Sequence, residues 1–149
     1  MEENYEQKKV DYYEEYGISE EDIYLEINVL PYTFEIDTTT QGYAIVKYYG
    51  NEEKVETPNV FNNKEVTTIG KNAFYNLSCI KELVISDNVT KIEQQAIYLC
   101  DNIEKLTLPV INTYLGYYFG ASSSSDNAMY LPLKLKEVIL SNKVTNIGY

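Results

Sequence analysis

The chain has 149 residues, enough for one domain with its own core and short for two. Its 23 acidic and 12 basic residues give a net charge of −11, histidine and tryptophan are absent, and every basic residue is a lysine. Without histidine and arginine it lacks the commonest general base, the commonest metal ligand and the bidentate phosphate clamp, and its acidity disfavours nucleic acid, whose phosphates require clustered positive charge.

Residues 1–30 carry ten acids and two lysines, a local net of −8, which leaves −3 for the other 119 residues. Ser19 followed by Glu20, Glu21 and Asp22 is a helix-start pattern, and Tyr12, Tyr13, Tyr16, Ile23, Tyr24 and Ile27 can form an apolar stripe interrupted by Gly17. The segment reads as an acidic helix or partly ordered linker, or alternatively as a docking segment for a basic partner. Its opening, Met1 to Glu6, has neither the basic nor the apolar part of a secretory signal. No apolar run is long enough for a transmembrane helix, so no membrane insertion is expected.

From Pro31 the period becomes two. Tyr32 to Asp37 and Tyr43 to Tyr49 read as two strands joined through a threonine-rich turn at Gln41-Gly42, a β-hairpin within a capping region 31–65. Val55 to Pro58 reads as a short edge element, because proline cannot donate to a ladder.

A repeat begins at Val66. Val66, Ile69, Ala73, Phe74, Leu77, Ile80, Leu83 and Ile85 recur 23 residues later as Val89, Ile92, Ala96, Ile97, Cys100, Ile103, Leu106 and Leu108. The strand portion returns at Leu135 to Leu140. The step from Ile103 to Leu135 is 32, nine longer, so a loop is expected there. Val144-Thr-Asn-Ile147-Gly148 restarts a unit, which divides 66–149 into 66–88, 89–111, a long unit 112–143 and a partial unit 144–149. Leu83 and Ile85 alternate as in a strand, whereas Ala73, Phe74 and Leu77 have helical spacing. The expected fold is an α/β repeat: a solenoid of about 23-residue units, each with short strands and a short helix, stacked so that every column becomes a ladder.

These residues resemble the BspA-like leucine-rich repeat family, whose units read Val-x-x-Ile-x-x-x-Ala-Phe-x-x-Cys-x-x-Leu-x-x-Ile-x-Ile-Pro. The match is carried by Ala73-Phe74, by Cys100 at the cysteine position and by Leu108-Pro109 at the strand end, and more loosely by Leu115 to Gly120. Ile97, Leu77 and Ser86 depart from the pattern at its Phe, Cys and Pro. The resemblance implies a leucine-rich-repeat solenoid in a bacterial cell-surface or secreted protein that works in adhesion.

No catalytic constellation is present: there is no Gly-x-Ser-x-Gly elbow, no Ser-x-x-Lys motif and no carboxylate-dense calcium loop. The chain is therefore expected to be no enzyme and to need no cofactor or metal. Cys100 belongs to an apolar column, and Cys79 lies just before a core position with its column offset by two, which disfavours a disulfide. Ser122 to Ser125 with Asp126 reads as a polar loop. Residues between the anchors point out of the sheet, giving the candidate binding columns Glu82, Lys105, Glu137 and Val84, Thr107, Ile139. Tyr114, Tyr117, Tyr118 and Tyr130 gather around the long unit as a candidate aromatic platform. The expected function is binding of a protein or glycan on the solenoid face, and the alternative is a structural or self-association element using the C-terminal end. Nine of the 16 tyrosines precede residue 50, so the tyrosine excess belongs as much to the N-terminal region as to any platform.

Overall fold

The alternation after Pro31 folds as the expected hairpin. In the computed structural model, which describes residues 31–145, β1 (Tyr32–Ile36) and β2 (Tyr43–Tyr48) pair antiparallel, with Tyr32 opposite Tyr48 and Ile36 opposite Tyr43. The acidic segment 1–30 and the end of the partial unit, 146–149, lie outside the described residues. Asp37 organises the turn. Its N–H donates to the Gly42 carbonyl, and its carboxylate accepts from the Thr39 N–H at 2.9 Å and the Thr68 hydroxyl at 2.5 Å.

The chain then winds through β3 (Lys54–Glu56), β4 (Val60–Phe61), β5 (Lys64–Ile69), β6 (Glu82–Val84), β7 (Lys91–Ile92), β8 (Lys105–Leu108) and β9 (Glu137–Leu140). Two parallel ladders result. β2, β5 and β7 form one, to which β1 and β4 add antiparallel, while β3, β6, β8 and β9 form the other. Ile69 pairs with Ile92 and Leu83 with Leu106, partners 23 residues apart, whereas Leu106 pairs with Val138 across the longer step. The pairing also reaches back into residues 31–65: Ile45 stands beside Ile69 and Val55 beside Leu83. A coil therefore precedes Val66, with β3 as its strand in the second ladder.

Burial follows the columns. Val66, Ile69, Ala73, Phe74, Ile80 and Leu83 have no solvent exposure, and neither do Ala96, Ile97, Ile103, Leu106 and Leu108. Each large side chain so buried contributes about 1.5–3 kcal/mol, and no coil could supply this without a neighbour. Ser86, at the proline position of the repeat, is buried and uses its N–H: it donates to the Thr57 hydroxyl at 2.8 Å, a bond that proline could not make. At the hairpin end the core is aromatic. Phe34 stacks on Phe61 at 4.0 Å, and Tyr48 on Phe74 at 5.5 Å. Tyr32, Tyr43 and Tyr48 are buried there, which accounts for part of the tyrosine excess.

The helices depart from expectation. Lys71 to Phe74 and Gln94 to Leu99 are hydrogen-bonded turns, with Ala73 N–H donating to Gly70 O and Ala96 N–H to Glu93 O. Asn72, Asn76, Gln95 and Leu99 sit at positive φ, and a left-handed residue on each side of the Ala-Phe or Ala-Ile pair stops a helix from propagating. Among the described residues only the long unit makes helices: α1 (Gly116–Phe119) and, after a 3₁₀ turn Ser124–Asp126, α2 (Asn127–Tyr130). The insertion is thus a folded element and not a bare loop. The Asn127 carboxamide oxygen accepts the Gly116 N–H at 2.5 Å, and a Cβ on Gly116 would come within 2.6 Å of the Asn127 carbonyl.

Candidate ligand-binding face

Alternation along β3, β6 and β8 buries Val55, Leu83 and Leu106 and turns their neighbours outward. The six sheet-face residues named from the sequence lie in direct register. Glu82 pairs with Lys105 and Lys105 with Glu137, while Val84 pairs with Thr107 and Thr107 with Ile139. Sequence reasoning missed the rung before them, where Lys54 stands beside Glu82 and Glu56 beside Val84. The signal was present in Lys54-Val55-Glu56, an apolar residue between two polar ones, but the step from Val55 to Leu83 is 28 and broke the period.

The charges on this face form a checkerboard. Successive coils present Glu53-Lys54, Lys81-Glu82, Glu104-Lys105 and Lys136-Glu137, reversing the order each time. Along the outer row Lys81 meets Glu53 at 2.8 Å and Lys136 meets Glu104 at 2.8 Å. In the inner row Glu82 lies 3.9 Å from Lys54 and 3.8 Å from Lys105, and Glu137 lies 3.8 Å from Lys105. The hydrogen bond that Lys81 donates to Glu53 raises the Lys81 amine above its ordinary range, and the one that Glu104 accepts from Lys136 lowers the Glu104 carboxyl. A slip of one residue between coils would set Glu82 against Glu104 or Lys81 against Lys105. The pattern thus penalises misregister. What remains on the face is a strip of Val84, Thr107 and Ile139 bordered by neutralised charge.

The four tyrosines around the long unit do not form one platform. Tyr118 has no exposure. It occupies the position of Ala73 and Ala96, since Ile97 N–H donates to Tyr118 O as Phe74 N–H donates to Ala96 O. It is a core residue, and burial raises its hydroxyl pKa. Tyr114 and Tyr117 are half-buried and pack edge to face at 5.8 Å, while Tyr130 lies apart from them on α2.

On the other sheet, Glu35, Asp37, Thr68, Lys71, Lys91 and Glu93 line a cleft of about 350 Å³. Several of its polar groups bond to one another. Lys91 meets Glu93 at 3.3 Å, Glu93 accepts the Lys71 N–H, and the Thr68 hydroxyl bond holds the Asp37 carboxyl below its ordinary range. Cys100 is buried, and its thiol points at the Phe74 carbonyl at 3.0 Å with its pKa pushed up to about 12 by burial. Cys79 is half-buried and both cysteines are free. Among the described residues, no group of three or more Cys, Asp or Glu side chains is placed to hold a metal ion, and no helix is long and apolar enough to cross a membrane.

Stacked coils with parallel strands on two sides and apolar residues in continuous columns define a repeat solenoid of the leucine-rich class. A family model described as BspA type leucine rich repeat region (6 copies) matches residues 46–149, and the chain belongs to that family. The match begins within β2, in agreement with the coil found before Val66. Among solved structures, the crystal structure of the T. pallidum leucine-rich repeat protein (TpLRR) is similar at 16% identity and a TM-score of 0.48, covering 74% of this chain and 62% of that one. The chain therefore spans less than two thirds of that protein's length. No curated protein matches it. Repeats of this family are protein-interaction modules and are generally not enzymes.

Proposed function

We propose that the chain is a non-enzymatic binding module of a bacterial cell-surface or secreted protein, holding a protein or glycan ligand on the open face of the β3-β6-β8-β9 sheet. The contact residues in this reading are Glu82, Val84, Lys105, Thr107, Glu137 and Ile139, and the hairpin of β1 and β2 caps the stack. The observation that carries the reading is the shared register of these residues across three coils, with an uncharged strip beside self-neutralised rows. Such a surface meets a partner through shape and polar contacts with little charge to desolvate. Family membership supports the surface placement. The test is an array of extracellular-matrix proteins and glycans probed with the chain and with Val84→Asp/Thr107→Asp. Signal lost in the variant supports the sheet face, and no signal above a repeat-scrambled control sinks the reading.

A second reading, self-association, is favoured by one edge. Among the described residues β9 has no strand on its outer side, Leu133 is fully exposed, and Val138 and Ile139 are each 36% exposed. An added parallel strand would complement Lys136-Glu137 if it carried Glu then Lys, the order at Glu53-Lys54 on β3. Light scattering across concentration tests this: a constant monomer mass rules it out. Growth in mass that is abolished by Leu133→Lys, a substitution that leaves the charge pairs within the chain intact, supports it.

A further inference from the structure

The turns after β2, β5 and β7 carry a row of residues to which no role has been assigned. Hydrogen bonds from Tyr48 N–H to Ala73 O, Phe74 N–H to Ala96 O and Ile97 N–H to Tyr118 O stack the turns, so that Tyr48, Phe74, Ile97 and Phe119 form one buried column. The next residue in each turn is Tyr49, Tyr75, Tyr98 and Gly120. Tyr49 and Tyr75 are 48% and 47% exposed, and the Tyr75 and Tyr98 rings lie 5.9 Å apart with 32° between their planes. At the fourth turn Gly120 adopts φ +117, and a Cβ there would fall 2.8 Å from the Tyr98 ring and 3.2 Å from the Tyr130 ring. The missing side chain lets Tyr130, 39% exposed and returned by α2, take the next place in the row.

A second observation marks the same place. Leu99 is held at φ +60, where the equivalent residue of the previous turn is Asn76 at φ +54. Asparagine tolerates the left-handed region through its short polar side chain, while leucine is strained there. Leu99 is also 39% exposed, so burial returns little of that cost. Strain retained at an exposed apolar residue beside an aromatic row is a signature of a ligand surface.

We propose that Tyr75, Tyr98 and Tyr130, with Leu99, bind a linear uncharged polysaccharide. A site that repeats one chemical group from coil to coil, as at Tyr75 and Tyr98, matches a ligand that repeats one unit. Coils separated by about 4.8 Å advance by close to the length of one sugar ring in an extended chain. Each tyrosine presents an apolar ring to the C–H face of a pyranose and a hydroxyl to its hydroxyls. The positions beside the row are amides, Asn72, Asn76 and Gln95, which donate and accept without charge. This surface is separate from the sheet face, and the inference does not depend on that reading.

The test is calorimetric titration of the full chain with cello-oligosaccharides of two to six units, soluble mannan, laminarin and, as charged controls, heparin and alginate. The expected result is binding to at least one neutral series that tightens with chain length. Tyr75→Ser/Tyr98→Ser should weaken it about tenfold, while Lys64→Ala, at an exposed position of β5 outside both surfaces, retains it. Should the double variant fail to fold, Leu99→Asn carries the test, with a raised Tm and weakened binding expected together. Binding to none of the neutral polymers, to the charged ones only, to a proline-rich peptide instead, or equally by the serine or Leu99→Asn variants overturns the proposal.

Discussion

Two outward rows run along the same stack of coils and are built on opposite principles. On the sheet face every lysine of the checkerboard lies beside a glutamate of the next coil. On the turn side Tyr75 and Tyr98 repeat the same group from coil to coil, partly exposed, beside a strained Leu99. Groups that satisfy one another hold coils in register and leave a neutral surface. Groups that repeat one chemistry leave their binding capacity open. The difference separates residues that specify the stack from residues that the stack displays.

The largest perturbation should erase that difference. Phe74 is fully buried beneath the tyrosine row and stacks on Tyr48, so Phe74→Ala should cost about 3–5 kcal/mol in urea unfolding and weaken both surfaces together. Gly120→Ala should be selective. A methyl at φ +117 against the Tyr98 and Tyr130 rings should lower stability by about 1–3 kcal/mol and displace Tyr130, while sheet-face chemical shifts in NMR spectra stay in place.

Smaller effects sharpen the other side. Glu82→Lys puts a third lysine between Lys54 and Lys105, and should cost about 0.5–1 kcal/mol, an effect that shrinks in high salt and leaves the tyrosine side untouched. The smallest expected effect near neutral pH is titration beneath both rows. The folded state holds the Cys100 thiol neutral, with a pKa raised to about 12, so its contribution is complete below the unfolded thiol value of about 8.5. It is then lost as pH rises from that value towards 12. Alkylation at pH 8 should accordingly modify half-buried Cys79 first and Cys100 only on unfolding, read by mass spectrometry.

Much of the fold was legible because a ladder imposes itself on sequence. Leu83 and Leu106 could be paired on paper, since any residue in that column must be apolar and must recur with the coil. The coil before Val66 was not legible, because Tyr43, Tyr48 and Val55 fill the same columns with different residues at a different spacing. Tyr118 was misplaced for a related reason. A tyrosine in a loop-like stretch reads as surface, yet at the fourth turn it fills the column that alanine occupies in the two turns before it. The helical spacing of Ala73, Phe74 and Leu77 was real as a burial pattern, but left-handed Asn72 and Asn76 turned it into a tight bend. Of the candidate surfaces, the sheet face followed from alternation alone. The tyrosine row did not, because Tyr130 enters it from a distant helix through the gap at Gly120.

The sequence by itself determined that this chain is a stack of short apolar units, that its net acidity lies mostly in a lead segment, and that it lacks the side chains of common catalysis. These are properties of composition and period, and need no knowledge of which coil meets which. Only the tertiary structure decided how charges alternate between coils, which tyrosines are core and which are displayed, and where a leucine is held in strain. Those properties depend on side chains 20 to 30 residues apart becoming neighbours across one strand spacing, a relation that no local pattern encodes.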